Sequence, residues 1–194
     1  MEDNLAYQDG WQDVRKRELI GGSVVLLAPA STNHNLTAGN IFALFKWYLK
    51  EKKCVPISDG VTVFLSENDH FVPDMMVVCD REKIHHDGIH GAPDLAVEVL
   101  SPSTMKNDRT HKKDVYAKYG VREYWLVNPT DRSIEVYRLD DGQFSLHDIY
   151  VLRPDWELKQ MTDTERSAVV TSFKCGLFPD LEISLDEVFG GLLD

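Results

Sequence analysis

The chain lacks most of the features that would assign it to a class at once. It has three cysteines in 194 residues, Cys54, Cys79 and Cys175, far apart and without a Cys-x-x-Cys unit. That spacing excludes a zinc ribbon or a dithiol redox motif and reads as incidental buried thiols in a reduced intracellular protein. No apolar run approaches the length of a membrane span, and the polar start Met1-Glu2-Asp3-Asn4 does not read as a signal peptide. The cytoplasm is therefore the expected compartment. Basic residues are short too: 21 Lys and Arg face 32 Asp and Glu, a net charge of -11. That balance argues against a nonspecific polyanion-binding surface, unless basic residues concentrate locally. There are no repeats, low-complexity tracts or linkers. Ser101 and Ser103 have no glycine elbow, and no Gly-x-x-x-x-Gly-Lys loop cradles phosphate.

What the chain does have is a 43% hydrophobic content, enough for one domain over residues 1–194 with a sizeable core. Glu18-Leu19-Ile20 and Ser23 to Leu27, broken by Gly21-Gly22, predict a hairpin. Ser31 or Thr32 caps a helix from about Asn33 to Lys50, with Leu36, Ile41, Leu44, Phe45, Tyr48 and Leu49 on its apolar face. Strands are expected at Cys54 to Leu65, Phe71 to Cys79 and Leu95 to Leu100, with a polar loop from Asp80 to Ala92. Thr104 caps a helix ending near Tyr119, and Gly120 is its left-handed terminator. A strand at Glu123 to Val127 precedes a hairpin of Ile134 to Leu139 and Phe144 to Leu152. Residues 153–168 are polar and poorly periodic. Val169 to Phe173 reads as a last strand, and Phe178 to Phe189 as a short closing helix. The pattern predicts an α/β fold.

Two carboxylates stand inside apolar strands: Asp74 in Phe71 to Cys79 and Glu98 in Pro93 to Leu100. A charge in such a place needs a metal, a cation or hydrogen-bond donors. Side chains alternate along a strand, so Asp74 shares a face with Met76 and Val78, and Glu98 with Ala96 and Leu100. If the strands are neighbours, the acids converge, and an all-oxygen pair suits Mg²⁺ or Mn²⁺. The blander alternative makes Asp74 a turn residue and Glu98 half of an internal ion pair. The next helix places Asp108, Lys112 and Tyr116 four apart along one stripe, roughly 6 Å per step. Lys112 could point into the carboxylate site and stabilise charge developing on a phosphate, with Asp108 holding it and Tyr116 packed behind. The same stripe could equally be a helix ion pair beside a core tyrosine. Between Thr104 and Arg122 six cations and two acids leave a local charge of +4, which suits a DNA backbone or an ordinary solvated face. The histidines of His85-His86-Asp87-Gly88-Ile89-His90 lack the spacing of a zinc site.

The string Pro73-Asp74, then Pro93-Asp94-Leu95-Ala96-Val97-Glu98-Val99-Leu100-Ser101-Pro102-Ser103-Thr104, then Asp108-x-x-x-Lys112-x-x-x-Tyr116-x-x-x-Gly120-Val121-x-Glu123-Tyr124-Trp125-Leu126-Val127-Asn128-Pro129 resembles the Uma2 family of restriction endonuclease-like proteins. Glu18-Leu19-Ile20-x-Gly22 and Pro29-x-Ser31-x-x-His34 match that pattern as well. The resemblance implies the PD-(D/E)xK nuclease fold, a mixed central sheet flanked by helices with an acidic metal site at a strand end. It makes Asp74 the first acid and Glu98 the second. Leu100 stands where the lysine would follow Glu98, and the resemblance implies that Lys112 supplies it from the next helix. Glu18 and His34 then either complete the site or brace it. The implied function is Mg²⁺-dependent hydrolysis of DNA by a homodimer. The alternative is a nuclease-fold binding or assembly protein with little or no turnover.

Overall fold

Proline has no backbone N–H, and Pro73 marks the point where the chain leaves one sheet and enters another. The computed structural model describes residues 16–193, and Met1-Glu2-Asp3-Asn4 lies outside them. In chain order the strands are β1 (Arg17–Ile20), β2 (Ser23–Leu26), β3 (Val55–Ser58), β4 (Val63–Phe64), β5 (His70–Phe71), β6 (Met75–Val78) and β7 (Ile89–His90). They continue as β8 (Leu95–Val99), β9 (Glu123–Asn128), β10 (Ser133–Asp140), β11 (Gln143–Val151), β12 (Ser172–Lys174) and β13 (Glu182–Ser184). Helix α1 (Thr32–Tyr48) follows β2, and helix α2, residues 105–119, connects β8 to β9. The main sheet has the order β11-β10-β9-β8-β6-β3 and is antiparallel except for the β8–β9 pair. That parallel pair needs a crossover, and α2 provides it. A smaller sheet runs β2-β1-β5-β4-β7, and β12 pairs with β13.

β6 and β8 are buried along their whole length, so both their faces must be covered. Met75, Val77, Leu95, Val97 and Val99 point to one side, where Ile41 and Phe45 of α1 and Phe173 and Ile183 of the C-terminal segment meet them. Met76, Val78 and Ala96 point to the other side, against Val115 and Tyr116 of α2 and Val63 and Phe71 of the smaller sheet. The face assignment expected from strand alternation therefore holds.

Local chemistry accounts for several boundaries. Ser31 caps α1 by accepting from the His34 backbone N–H at 3.2 Å. Gly120 ends α2 at φ 88°, the left-handed conformation that the sequence predicted. Asp69 ties two elements together, accepting from the Gly21 N–H at 3.0 Å and pairing with His111 Nε2 at 2.7 Å. The β10–β11 hairpin forms as expected.

Other expectations are corrected. The strand expected at Cys54 to Leu65 breaks into β3 and β4 around Gly60, whose φ of 98° no ordinary strand residue adopts. Phe71 to Cys79 divides at Pro73, with β5 in the small sheet and β6 in the main one. The loop from Asp80 to Ala92 contains a 3-10 turn at Arg81–Lys83 and strand β7. Residues 153–168 hold two short helices, Asp155–Leu158 and Asp163–Ser167, the latter started by a Thr162–Glu165 capping box. The last strand lies at Ser172–Lys174 rather than Val169 to Phe173. The closing segment is strand β13 followed by one helical turn, Leu185–Val188. Leu181, Ile183 and Leu185 are all buried, a period of two that wins over the helical reading. The cysteines also depart from the reading as separate thiols: Cys54 and Cys79 form a disulfide, and Cys175 stays free and buried. The Val55–Val78 register carries the first two cysteines to facing positions at the ends of β3 and β6, which a separation of 25 residues conceals.

Phe45 is fully buried between α1, Trp125 and Phe178. Phe45→Ala should cost about 3–5 kcal/mol of unfolding free energy in a urea titration. A loss under about 1 kcal/mol would mean that α1 is not anchored through this ring.

Candidate active site

The register of β6 and β8 decides where the two strand acids go. Met75 faces Val97, so one step outward Asp74 comes opposite Glu98 at the end of the sheet. Asp74 lies just before β6, half-buried, and its Oδ2 accepts from the Val99 backbone N–H at 2.7 Å. Both acids line a cleft of about 610 Å³ together with Glu18, His34, Asp108 and Lys112. Its rim includes Lys16, which pairs with Asp59, and the hydroxyls of Ser31, Ser101, Ser103 and Thr104.

Lys112 reaches this end of the sheet from α2. The helix is not a plain α stripe there, because Asp108–Lys112 forms a π turn. The Lys112 ammonium lies 2.6 Å from Glu98 Oε1, 2.9 Å from Glu18 Oε1 and 3.2 Å from Asp108 Oδ1. Its side chain is only 3% exposed, and the Phe71 ring lies beside it with its centroid 5.6 Å away. Glu98 and Glu18 each have a second support. Tyr116 donates its hydroxyl to Glu98 Oε1 at 3.0 Å, and the Val72 N–H donates to Glu18 Oε1 at 2.8 Å. Tyr124 donates to the Asp108 carbonyl at 2.9 Å. Every expected site residue, Asp74, Glu98, Lys112, Asp108, Tyr116, Glu18 and His34, stands in this one region.

Burial pushes the Glu98 carboxyl well up; Lys112 pulls it back, and the charges of Asp108, Asp74 and Glu18 push it up again. Burial alone would lower Lys112, but Glu98, Glu18 and Asp108 outweigh that and hold it well above the usual lysine range. Burial likewise lifts Asp108 against the pull of Lys112. For His34, burial works downward, while the hydrogen bond to Asp74 and the charges of Asp74 and Asp59 bring its pKa above 6.5. His34 Nε2 is 3.3 Å from Asp74 Oδ2, and its Nδ1 has no hydrogen-bond partner among the described residues.

Asp74 and Glu98 offer oxygen ligands only, which fits a hard divalent cation that completes its shell with water and phosphate oxygens. Among the described residues no three His, Cys, Asp or Glu side chains assemble as a metal cluster; in the His85-to-His90 loop His90 pairs with Asp87 at 3.1 Å and its ring packs against those of His85 and Phe64. The local +4 charge is only partly free, with Lys106, Arg109, Lys118 and Arg122 exposed. Lys112 is buried, Arg109 pairs with Glu135 at 2.6 Å, Arg122 with Asp94 at 3.7 Å, and Lys113 lies over the Tyr137 ring. The resemblance already implied that Glu18 completes or braces the site, but its role as a lysine partner had no signal in the residues around it. The Lys16–Asp59 rim pair had no local signal at all.

The chain matches the family model Uma2, described as "Putative restriction endonuclease", over residues 3–170. Two uncharacterized proteins of Synechocystis sp. are similar to it. One, slr1290, is 31% identical over 132 residues, which cover 66% of this chain and 70% of the relative. The other, sll1609, is 27% identical over 143 residues, covering 71% and 81%. A crystal structure described as "a putative nuclease belonging to DUF820", from Anabaena variabilis, superposes with a TM-score of 0.69 over 91% of each chain at 18% identity. At that identity the likeness carries the fold, a mixed sheet flanked by helices.

The His34–Asp74 pair has a definite pH signature. Because the folded pKa of His34 is raised, the pair's contribution to stability is fully present below pH 6.5 and lost as pH rises through the folded value. In an NMR titration His34 should therefore lose its proton above pH 6.5, and Asp74→Asn should lower that midpoint. The stability gap between wild type and Asp74→Asn should narrow with rising pH over the same window. A His34 midpoint unmoved by the substitution would show that the pair does not form.

Proposed function

We propose that this chain, which belongs to the Uma2 family, is a Mg²⁺- or Mn²⁺-dependent endonuclease that hydrolyses phosphodiester bonds of DNA. One observation carries the reading: Asp74 and Glu98 face each other across β6 and β8 in an open cleft, and an ammonium stands 2.6 Å from Glu98. Asp74 and Glu98 would hold the ion, and Tyr116 fixes Glu98 from behind. A bound divalent ion supplies Lewis-acid polarisation of the scissile phosphate. Lys112 would stabilise the negative charge that grows on the phosphate oxygens, a role for which its burial among carboxylates keeps it protonated. Asp108 and Glu18 orient Lys112, and His34 holds Asp74. We place it in the cytoplasm, where DNA would be met, although the Cys54–Cys79 disulfide is of a kind uncommon in that compartment.

An exposed sheet edge supports the proposed homodimer. β11 is an outer strand of the main sheet, nine residues long, with Leu146 and Ile149 about half exposed. Such an edge suits pairing with a second copy, and a twofold dimer would address both strands of a duplex. A dimeric mass by light scattering at micromolar concentration is expected, and a monomer would count against it.

The competing reading is a nuclease-fold binding or assembly protein with weak or no turnover, favoured by the net charge of -11. Cleavage assays with Mg²⁺ or Mn²⁺ on single-stranded, duplex and branched DNA separate the two. The nuclease reading expects cutting that falls by about 10²-fold or more in Asp74→Asn and Glu98→Gln. Both variants should keep the folded circular dichroism spectrum. Absence of cutting on all three substrates, together with no metal binding at millimolar concentration, favours the assembly protein.

A further inference from the structure

The Lys112 ammonium has three N–H donors. Three carboxylate oxygens, from Glu98, Glu18 and Asp108, lie within 3.2 Å of it, and its side chain is 3% exposed. Among the described residues Asp108 Oδ1 accepts no hydrogen bond, but with carboxylate oxygens on three sides and 3% of its side chain exposed the ammonium has almost no surface to offer a phosphate oxygen. In this arrangement the lysine serves its own carboxylates and cannot serve a substrate.

The three partners are not equally committed. Glu18 is fixed through the same Oε1 by the Val72 N–H at 2.8 Å. Asp108 lies one turn away on the same helix, with its backbone carbonyl tied to Tyr124. Glu98 is held as well, by the Tyr116 hydroxyl at 3.0 Å, but of the three it is the one that faces Asp74 across the strand pair. The cleft as a whole is acidic: Glu18, Asp59, Asp74, Glu98 and Asp108 stand against Lys16, His34 and Lys112. Even with His34 charged, that leaves two negative charges in excess, the amount one divalent ion neutralises.

We infer that Lys112 is a resident counter-ion that stands in for a divalent cation, and that Glu98 is the partner it gives up. When Glu98 turns to a cation shared with Asp74, Lys112 stays on Glu18 and Asp108, and the released N–H becomes available to the scissile phosphate. Glu18 is then a positioning residue: it keeps the ammonium at the cleft floor after Glu98 lets go. The inference rests on the metal-site reading above and adds an order of events, in which the lysine is competent only after the cation has arrived.

The test follows the lysine and the metal separately in the full-length protein. Lysine-¹⁵Nζ-labelled protein is titrated with Mg²⁺ by NMR, the Lys112 ammonium signal being assigned by its absence in Lys112→Arg, while calorimetry records Mg²⁺ binding. The expected result is a Lys112 signal that shifts in step with Mg²⁺ saturation. In Glu18→Gln, Mg²⁺ should still bind, but the ammonium signal should broaden or vanish once Mg²⁺ is present. Lys112→Met should bind Mn²⁺ at least about tenfold more tightly than wild type, since a buried positive charge beside the site is gone. Its melting temperature should also rise more on Mn²⁺ addition. Should Lys112→Met not fold, the wild-type titration decides alone. Mg²⁺ binding with an unmoved Lys112 signal, or Mn²⁺ affinity unchanged in a folded Lys112→Met, overturns the exchange and leaves the metal site standing. No Mg²⁺ binding at all overturns both.

Discussion

An ammonium buried among three carboxylates is the constraint to which the other features of this molecule answer. The Lys112 ammonium lies within 3.2 Å of Glu98 of the main sheet, Glu18 of the small sheet and Asp108 of α2, so a single nitrogen brings three separately built layers together. Removing one partner from such a cluster typically costs about 3–5 kcal/mol, because an uncompensated charge is left in a dry site. Replacing the whole cluster by apolar residues can be neutral or stabilising, so stability alone is a poor reason for its existence. That asymmetry is the physical ground for reading the cluster as chemistry. The π turn at Asp108–Lys112 and the short strand β5 both lie where the lysine must be aimed and covered.

Glu123 is an instructive contrast. It too is a glutamate within an apolar strand, and it is as deeply buried as Glu98. Its carboxylate accepts from Trp125 Nε1 at 2.7 Å and lies 3.9 Å from Arg138, on the far side of the sheet from the cleft and against Cys175. There the carboxylate solves a local hydrogen-bonding problem in a closed core. Gly176 approaches so closely that no side chain fits between it and Glu123. One buried acid is structural and the other faces an open cleft with a second acid and an ammonium. The difference lies in company, not in residue type.

The edges of the molecule follow from simpler rules. β3 is an outer strand stapled to β6 by the Cys54–Cys79 disulfide, at the end of β6 opposite Asp74. The other outer strand, β11, is long and carries a register shift opposite Val136 and Tyr137, a bulge that increases its local twist. The basic residues on α2 divide: Lys112 is buried among acids, Arg109 pairs with Glu135 and Lys113 lies over the Tyr137 ring, while Lys106 and Lys118 stay exposed.

Much was legible in the chain as written. The alternation in Phe71 to Cys79 and Leu95 to Leu100 told which residues share a face, Ser31 and Gly120 marked helix ends, and two acids in apolar strands marked the site. These are local properties, set by backbone geometry and the cost of burying charge. Strand order, the switch of sheets at Pro73 and the pairing of Cys54 with Cys79 depended on contacts between distant segments, for which spacing along the chain carries no signal. The sequence by itself determined that Asp74 and Glu98 would need a partner. Only the tertiary structure decided that Glu98 would meet Lys112 and Asp74 would meet His34, because which cation reaches a buried carboxylate depends on how layers pack rather than on the residues beside it.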